Sequence, residues 1–569
     1  MTTTLARIFI KKLARRSYAV NLSANQAVWT QDSVVKSNLK EISIPNRTAV
    51  EHVWENLDKW ADKTALTCGV TDHCISYHML YKKSRSFAAQ LRSKFKIANS
   101  DVVCVMMHNI PDYAVVLLGI IEAGATATTV NPIYTSYEVH RQILLSEPKV
   151  LIGTIESVPV LKEAMKLVKR NIPIITCGGN KPLPPGTTCF QELVDDIHVN
   201  LESLKGVNTN PENVILLPYS SGTTGLPKGV ELTNRNIVAQ FMQQDDENIR
   251  HYNETTRLHQ DSVLAVLPFY HIYGMIVTLL HKLTVGVKIV TLPKFRPDTF
   301  VSALDKHKIH LFCAAPPLVL FLGSYAGIEA KHLESIKKIT CGAAPLPKPD
   351  IDRVLEKAKN TELIQIYGLT ETSPLVTTLC PGSRQYTSVG IPLPSTEVKI
   401  IDSNSQNLGP NRQGELLIRG PQVMKGYRNN IEATNNAITK DGWFKSGDLA
   451  SIDENGYVTI ADRLKELIKV KGYQVAPAEL ESIIKEHPNV LDAGVIGVPD
   501  QTAGELPKAF VVLKDGHNAE AQDISKFLAE KVVEYKRIKD VVFLKSLPKN
   551  PSGKLLRRVL KEKNSSVTE

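Results

Sequence analysis

The feature that most constrains the fold is an alternation of short apolar runs with amphipathic helical segments between about residues 48 and 379. The runs are rich in β-branched residues and read DVVCVMM, KVLIGT, SVLAVLP, VKIVTL and KIHLFCAAP. Buried strands that alternate with helices pair mainly in parallel, because each crossover connection lays a helix on a face of the sheet. We therefore predict an α/β fold of mainly parallel sheets, with functional residues at the carboxyl ends of the strands.

The pattern changes twice downstream. Between about residues 388 and 460 it becomes short alternating strands broken by turns, as in EVKIID, GELLIRG and DENGYVTI, which predicts a small β module. After Arg463, a helix that starts near Pro477 and the runs DAGVIGV, KAFVVLK and DVVFL indicate a mixed α+β unit of about 100 residues. We expect a tail over residues 1–32, a large domain over 45–462 and a smaller C-terminal domain over 463–569.

Size and charge narrow the class of partner. A chain of 569 residues exceeds one ordinary hydrophobic core, which agrees with several domains. The formal charge of +10 is spread along the chain and suits polyanionic small molecules such as ATP and coenzyme A. No nucleic-acid-binding signature accompanies it, so nucleic acid is not an expected partner. No apolar run reaches the roughly 18 residues of a membrane span, so no transmembrane segment is expected.

The first residues have the composition of a targeting segment. No acidic residue precedes Asp32, while Arg7, Lys11 and Arg15 lie among leucine, isoleucine and phenylalanine. Such a segment is typical of a mitochondrial transit peptide, and a disordered basic tail on a cytoplasmic protein is the alternative. The last residues, SVTE, differ from the peroxisomal Ser-Lys-Leu signal.

A loop rich in glycine and hydroxyl residues, YSSGTTGLPKG, follows the apolar run VILLP. It is not a P-loop, because Pro227 stands where the second glycine of that motif is needed and Gly229 follows Lys228. Glycines still allow close backbone approach, and exposed N–H groups with hydroxyls form an anion nest. A flexible linker is the alternative, but the strand pattern directly before the loop favours phosphate binding.

Six further stretches combine with this loop: LPFYHIYGM, CGAAPLP, QIYGLTETSP, SGDLA, DRLKELIKVKGYQVAPAELE and NPSGKLLRR. In order and spacing they resemble the adenylate-forming superfamily of acyl-CoA synthetases, closest to 4-coumarate–CoA ligases and luciferase-like acyl-CoA ligases, over about residues 45–563. The resemblance implies an adenylation domain followed by a mobile C-terminal domain. It also implies two steps, in which a carboxylic acid reacts with Mg-ATP to give acyl-AMP and coenzyme A then displaces AMP.

The resemblance also implies the site residues, position by position. It assigns ATP and AMP binding to Ser220, Ser221, Gly222, Thr223, Thr224, Gly225, Lys228, Gly342, Ala343, Ala344, Gln365, Tyr367, Gly368, Thr370, Asp448 and Arg463. It assigns catalysis to Lys554, His271, Lys469, Gln474 and Glu371, with Glu371 as the magnesium ligand. Coenzyme A is assigned to Lys471 and Gly472, the hinge to Lys465, and the acyl pocket to Tyr273, Ile366, Gly368, Pro374 and Leu375.

Three positions bear on the substrate. Ile366 stands where the resembling ligases have glycine, so we expect it to narrow the acyl channel against a wide aromatic acid. Gly368 stands where acetate-activating relatives have tryptophan, so the pocket is not expected to be closed down to acetate. We therefore predict a medium- to long-chain fatty or related hydrophobic acid. An aryl acid of the 4-coumarate type is the alternative, and Pro374, in place of a luciferase serine, argues against light emission.

Overall fold

The computed structural model describes residues 28–178, 182–196, 198–220, 227–464, 466–470, 473–500, 503–532, 534–550 and 553–567. The predicted transit peptide therefore lies almost entirely outside the described residues. The α-helices of the described part are Ala49–Trp54, Leu57–Trp60, Tyr77–Ser93, Asp112–Glu122, Ser136–Ser146, Val158–Val168, Phe190–Val194, Asn234–Gln244, His281–Thr284, Pro297–His307, Pro316–Ser324, Ala330–Leu333, Lys348–Lys357, Ile431–Ala437, Pro477–Lys485, Ala521–Ala529 and Arg557–Val567. Turns of 3₁₀-helix span Glu202–Gly206, Thr370–Thr372 and Glu534–Lys536, and a π-helix spans Tyr273–Leu280.

Two large sheets form the body of the molecule. Within the described ranges, the first has nine strands: Tyr219–Ser220, Lys228–Thr233, Val214–Leu216, Thr126–Thr129, Val102–Met106, Val150–Thr154, Ile174–Cys177 and Thr188–Cys189 in that order, with Gly426–Tyr427 beside Lys228–Thr233. The second runs Ile391–Pro392, Leu375–Thr378, Glu362–Gly368, Lys338–Cys341, Leu311–Ala314, Ser262–Ala265, Lys288–Thr291, Thr64–Cys68 and Cys74–Ser76. Their central strands pair in parallel, so the predicted α/β fold is confirmed.

The predicted β module is a six-stranded antiparallel sheet in the described part of the chain. Its strands are Val34–Lys36, Glu397–Ile401, Gly414–Arg419, Phe444–Ile452 and Val458–Arg463, with Asn407–Leu408 beside Glu397–Ile401. Val34–Lys36 lies ahead of residue 45, where the sequence predicted the large domain to start. Three residues carry no detectable alternation, so only pairing with Glu397–Ile401 reveals this strand.

The C-terminal unit has the predicted mixed character. Its described sheet contains Tyr473–Val475, Ile468–Val470, Gly504–Leu513, Val490–Asp500 and Asp540–Phe543. Pro477 occupies the first turn of helix Pro477–Lys485, as the sequence predicted. Leu480 and Ile484 of that helix are fully buried in the small core of this unit.

A buried ion pair joins the C-terminal unit to the large domain. Lys485 Nζ lies 2.6 Å from an oxygen of Asp350, on helix Lys348–Lys357 of the large domain, and both side chains are almost inaccessible. Arg353 also contacts Asp350, at 3.2 Å. The contact ties helix Pro477–Lys485 of the C-terminal unit to helix Lys348–Lys357 of the large domain. None of the helices described is both long and apolar enough to cross a bilayer.

Candidate active site

The glycine-rich loop is anchored at its start by Glu371. Ser220 and Lys228 face each other across a two-stranded antiparallel pair, so the loop begins and ends at the edge of a sheet. Ser220 Oγ donates to Glu371 Oε1 at 3.0 Å, and Tyr427 Oη donates to the same oxygen at 2.9 Å. Lys228 Nζ lies 4.9 Å from the centre of the Tyr427 ring. The tip of the loop, Ser221, Gly222, Thr223, Thr224 and Gly225, lies outside the described residues.

Glu371 has the chemistry of a magnesium ligand. It lies on the 3₁₀ turn Thr370–Thr372, directly after strand Glu362–Gly368, and it is 8% exposed. Two hydroxyls bond Oε1, while no described residue bonds Oε2 and no described lysine or arginine forms an ion pair with the carboxylate. A hard anionic oxygen with a vacant lone pair beside a phosphate loop suits Mg²⁺, which is usually held by one or two carboxylates plus substrate phosphates. Thr370, the neighbouring residue in this turn, is half-buried.

Asp448, Arg463 and Tyr367 form a second polar group. Asp448 and Arg463 are cross-strand neighbours in the β module, and Arg463 Nε lies 2.7 Å from Asp448 Oδ1. Tyr367 Oη donates to Asp448 Oδ2 at 2.5 Å. Burial raises the pKa of Asp448, while the charge of Arg463 and the Tyr367 hydrogen bond oppose that rise. The carboxylate is therefore held in place at the carboxyl end of strand Glu362–Gly368, ready to accept hydroxyl donors.

Two glycines near this group lie where the packing leaves no room for a side chain. A Cβ on Gly342 would lie 2.8 Å from Ile366 Cγ1, and a Cβ on Gly368 would lie 1.9 Å from the carbonyl oxygen of Pro374. Ala343, which follows strand Lys338–Cys341 with Ala344, has a φ of 75°. Gln365, a predicted ATP contact, donates its amide nitrogen to the carbonyl of Tyr386 at 2.5 Å. That bond fixes the neighbouring loop.

His271 lies at the start of the π-helix and is uncharged. Burial lowers the pKa of His271 to about 4, so the imidazole is neutral at pH 7. Its Nδ1 accepts from the backbone N–H of Tyr273 at 3.3 Å, which leaves Nε2 as the atom available to a ligand. Tyr273 in turn donates its hydroxyl to the carbonyl of Thr340 at 3.1 Å.

Lys554 enters the same cleft from the C-terminal unit. Gly553, with a φ of 83°, lies so close to the large domain that a Cβ there would be 2.6 Å from Pro317 Cδ. Burial lowers the pKa of Lys554, and the positive charge of Arg463 lowers it further, while Glu466 and Asp448 oppose these effects. The Lys554 ammonium therefore lies within electrostatic range of the Asp448–Arg463 pair.

Of the other predicted C-terminal residues, only Lys469 has a described side chain, and it has no described contact with this cluster. Lys469 is exposed on strand Ile468–Val470, where Gln474 is its cross-strand neighbour, and its backbone N–H donates to Glu505 at 2.8 Å. Lys465, Lys471 and Gly472 lie outside the described residues, as does the side chain of Gln474.

A cavity adjoins the cleft behind Ile366. The predicted pocket residues Ile366 and Leu375 line it together with Val277 and Thr340. Gly368 and Pro374 contact each other instead, where the chain turns back into strand Leu375–Thr378. Ile366 is therefore part of the cavity wall, while its effect on the width of the acyl channel stays a prediction.

Sequence reasoning missed Tyr427. Its hydroxyl bonds the Glu371 oxygen that Ser220 of the phosphate loop also bonds, although Tyr427 and Glu371 are 56 residues apart in the chain. Sequence reasoning also missed the Arg557 pairs with Glu466 and Glu481, which hold the Lys554 loop against the start of the C-terminal unit. No local pattern marks these contacts, because each depends on which strands become neighbours.

Comparisons with known proteins agree with this geometry. The family model described as AMP-binding enzyme matches residues 53–428, and the model of the AMP-binding enzyme C-terminal domain matches residues 479–554. The chain is 38% identical over 541 residues to 4-coumarate–CoA ligase 1 of Arabidopsis thaliana, covering 94% of this chain and 95% of the relative. It is 38% identical to 4-coumarate–CoA ligase 3 of Oryza sativa subsp. japonica over 537 residues, covering 93% and 94%.

Solved structures share the fold. ATP-bound MatB from Rhodopseudomonas palustris has a TM-score of 0.82 at 25% identity, covering 92% of this chain and all of that one. The o-succinylbenzoate CoA synthetase of Bacillus subtilis, solved with its acyl-adenylate intermediate, has a TM-score of 0.74 at 26% identity, covering 90% and 98%. The co-substrates of such an enzyme are ATP and coenzyme A, and its cofactor is Mg²⁺. The chain belongs to the AMP-binding enzyme family and is an AMP-forming acid–CoA ligase of the adenylate-forming superfamily.

Proposed function

We propose that this ligase activates an aryl acid of the 4-coumarate type, converting it with ATP to aryl-AMP and then with coenzyme A to the thioester. The observation that supports this substrate class is similarity along nearly the whole chain to ligases named for 4-coumarate. It favours the aryl alternative over the fatty acid that the sequence predicts from Ile366.

The geometry supports distinct roles in the first step. Lys554 supplies positive charge where the acid carboxylate meets the α-phosphate, since Gly553 packs against Pro317 of the large domain and the Lys554 ammonium is within electrostatic range of Asp448. Asp448 accepts hydrogen bonds from the ribose hydroxyls, and Tyr367 and Arg463 fix its orientation. Neutral His271 presents Nε2 to the acid without adding charge.

The phosphates are held at the other side of the cleft. Lys228 and the loop anchored at Ser220 bind the pyrophosphate that leaves. Glu371 holds Mg²⁺, which neutralises phosphate charge when it is bound. Tyr427 keeps the Glu371 carboxylate turned towards the loop.

A medium- to long-chain fatty acid remains the second candidate, and Ile366 favours it. The Ile366 side chain is 5% exposed, lines the cavity and lies against Gly342. A branched side chain at this wall leaves less width for a ring than glycine does, while a flexible alkyl chain passes it more easily.

A substrate panel tests both candidates. Release of AMP that requires both acid and coenzyme A is measured for cinnamate, 4-coumarate, hexanoate, octanoate and dodecanoate. A higher kcat/KM for 4-coumarate than for the alkyl acids supports the proposal, and the reverse order supports the fatty acid. Ile366→Gly is expected to raise the ratio of aryl to alkyl activity, and Ile366→Leu, which keeps the side-chain volume, is the control. A protein that releases no AMP with any acid contradicts both.

A further inference from the structure

A buried ion pair connects the C-terminal unit to the large domain. Lys485 Nζ lies 2.6 Å from Asp350 Oδ2, and the two side chains are 8% and 1% exposed. Arg353, on the same large-domain helix as Asp350, lies 3.2 Å from it. Among the described ion pairs that involve residues 466–567, only Lys485–Asp350 reaches the large domain. Removing one member of such a pair leaves the other buried charge without its full partner, which is costly.

The charges continue from Lys485 to the turn that carries Lys554. Asp492 Oδ1 lies 3.5 Å from the Lys485 ammonium, and Asp492 Oδ2 lies 2.5 Å from Lys549 Nζ. Lys549 pairs through its backbone with Leu555 in an antiparallel bridge, which closes the turn around Lys554. The interdomain ion pair and the Lys554 turn are therefore two ends of one connected network.

Two packed helices of the large domain receive these two ends. Helix Lys348–Lys357 carries the acidic member of the ion pair. Helix Pro316–Ser324 meets the turn, because a Cβ on Gly553 would lie 2.6 Å from the second residue of that helix. The helices touch each other, since a Cβ on Gly323 would lie 3.0 Å from Arg353 Cγ. Closely packed helices have little freedom to shift separately, so the two points of contact keep a fixed separation.

We propose that Lys485 is a positioning residue for adenylation, and that its pairing with Asp350 sets how far the Lys554 turn enters the cleft. The link runs through Asp492 and Lys549 to the base of the turn. The inference rests on the adenylation role proposed for Lys554 and adds a residue that acts through it. Precise placement matters here, because a shift of about 1 Å in a reacting group can cost about 100-fold in rate.

An ion pair suits a contact that has to open when the C-terminal unit rotates. Desolvation of the two buried charges offsets much of their attraction, so the pair specifies an orientation without holding the unit strongly. Once the helices separate, water solvates both charges, whereas an apolar contact would expose hydrocarbon to water. The same pair can therefore form for adenylation and open for thioester formation.

The two half-reactions of the full-length protein, measured separately with the preferred acid of the substrate panel, test this role. Lys485→Met is expected to lower kcat for acid-dependent pyrophosphate exchange into ATP by about tenfold or more. The KM for ATP is expected to stay near the wild-type value, because Asp448 and Glu371 keep their contacts within the large domain. Thioester formation from synthetic acyl-AMP and coenzyme A is also expected to stay near the wild-type rate. A general loss of structure would instead lower both half-reactions.

Variants on both sides of the contact assign the effect to the ion pair. Asp350→Asn is expected to give the same division between the half-reactions as Lys485→Met. The double variant is expected to lose no more adenylation than the more affected single variant, since both changes remove one interaction. Lys531→Met is the control, because it removes an exposed ion pair with Glu486 inside the C-terminal unit, and it is expected to keep both rates.

Three results overturn the proposal: wild-type adenylation in both single variants, equal losses of the two half-reactions, and additive losses in the double variant. Asp350→Asn decides the matter if Lys485→Met does not fold. Lys554→Ala is measured in parallel, and wild-type adenylation in that variant contradicts the role of Lys554 itself. An impaired Lys554→Ala beside an unaffected Lys485→Met contradicts only the positioning role.

Discussion

Tyr367 joins the strand that ends at the cleft to the carboxylate of Asp448. Tyr367→Phe removes the hydroxyl but keeps the ring, so Asp448 retains only Arg463 as a described side-chain partner. A hydrogen bond to a charged group contributes about 1.5 kcal/mol, so we expect the KM for ATP to rise about tenfold with a smaller fall in kcat. Steady-state kinetics at saturating acid measure this. Tyr81→Phe, which removes a hydroxyl from helix Tyr77–Ser93, serves as control, and equal KM values in the two variants would contradict the role.

Buried neutral histidines make stability depend on pH. Burial lowers the pKa of His281 to about 4, and Lys282 adds to this while Asp245 opposes it. Below about pH 6.5 the His281 imidazole is protonated in the unfolded chain but stays neutral in the folded protein. The free energy of unfolding therefore falls as the pH drops from 6.5 towards 4. One such group contributes a slope of at most about 1.4 kcal/mol per pH unit.

We therefore expect His281→Gln to show a shallower loss of stability between pH 6.5 and 4.5 than the wild-type protein. Urea unfolding followed by circular dichroism at several pH values measures the slope. His78→Gln, at an exposed position, provides the comparison. A variant slope as steep as that of the wild-type protein would show that His281 does not carry the effect.

At the scale of elements, the turn from strand Glu362–Gly368 into strand Leu375–Thr378 carries Glu371 to the phosphate loop. The turn is so tight that a Cβ on Gly368 would meet the Pro374 carbonyl oxygen at 1.9 Å. Gly368→Ala must shift this turn, and we expect a stability loss of about 1–3 kcal/mol. We also expect at least a tenfold loss of kcat/KM for ATP, because Glu371 moves with the turn.

Thermal unfolding measures the loss of stability, and adenylation kinetics measure the loss of kcat/KM for ATP. Gly409→Ala is the matched control, since a Cβ at Gly409 would meet no atom within 4 Å. Normal activity in Gly368→Ala would mean that the turn does not set the position of Glu371.

At the scale of the whole molecule, we propose that the two lysines of the C-terminal unit act in different steps. Lys554 reaches the cleft in the orientation that the Lys485–Asp350 pair holds, while Lys469 is exposed. A rotation of the C-terminal unit at the hinge, which the resemblance assigns to Lys465, would exchange them, a motion that requires few residues to change conformation.

Lys554→Ala is therefore expected to lose most of its adenylation activity, because the activation barrier of that step rises by about 3 kcal/mol or more. The variant should still convert synthetic acyl-AMP and coenzyme A to the thioester. Lys469→Ala is expected to show the reverse. Pyrophosphate exchange into ATP measures the first half-reaction, and thioester formation from acyl-AMP measures the second. Equal losses of both half-reactions in both variants would exclude a division of roles.

Much of the fold and the chemistry of the site follows from local sequence. The β-branched runs determine parallel strands because their period and length allow little else, and residues such as Ser220 and Glu371 then lie at or just after strand ends. The type of residue at each position also limits the chemistry, since glycines and hydroxyls suit phosphate and a carboxylate suits a cation or a diol.

The contacts between distant segments were decided only by the tertiary structure. Tyr427 bonds Glu371, Lys485 pairs with Asp350, and Lys282 joins Lys338 in one cavity because strand order and domain orientation bring these side chains together. Residue periodicity specifies which face a side chain occupies, but not which element will cover that face. The sequence therefore determined the reaction, and the packing of remote elements decided how the reacting groups are supported and what surrounds the acid.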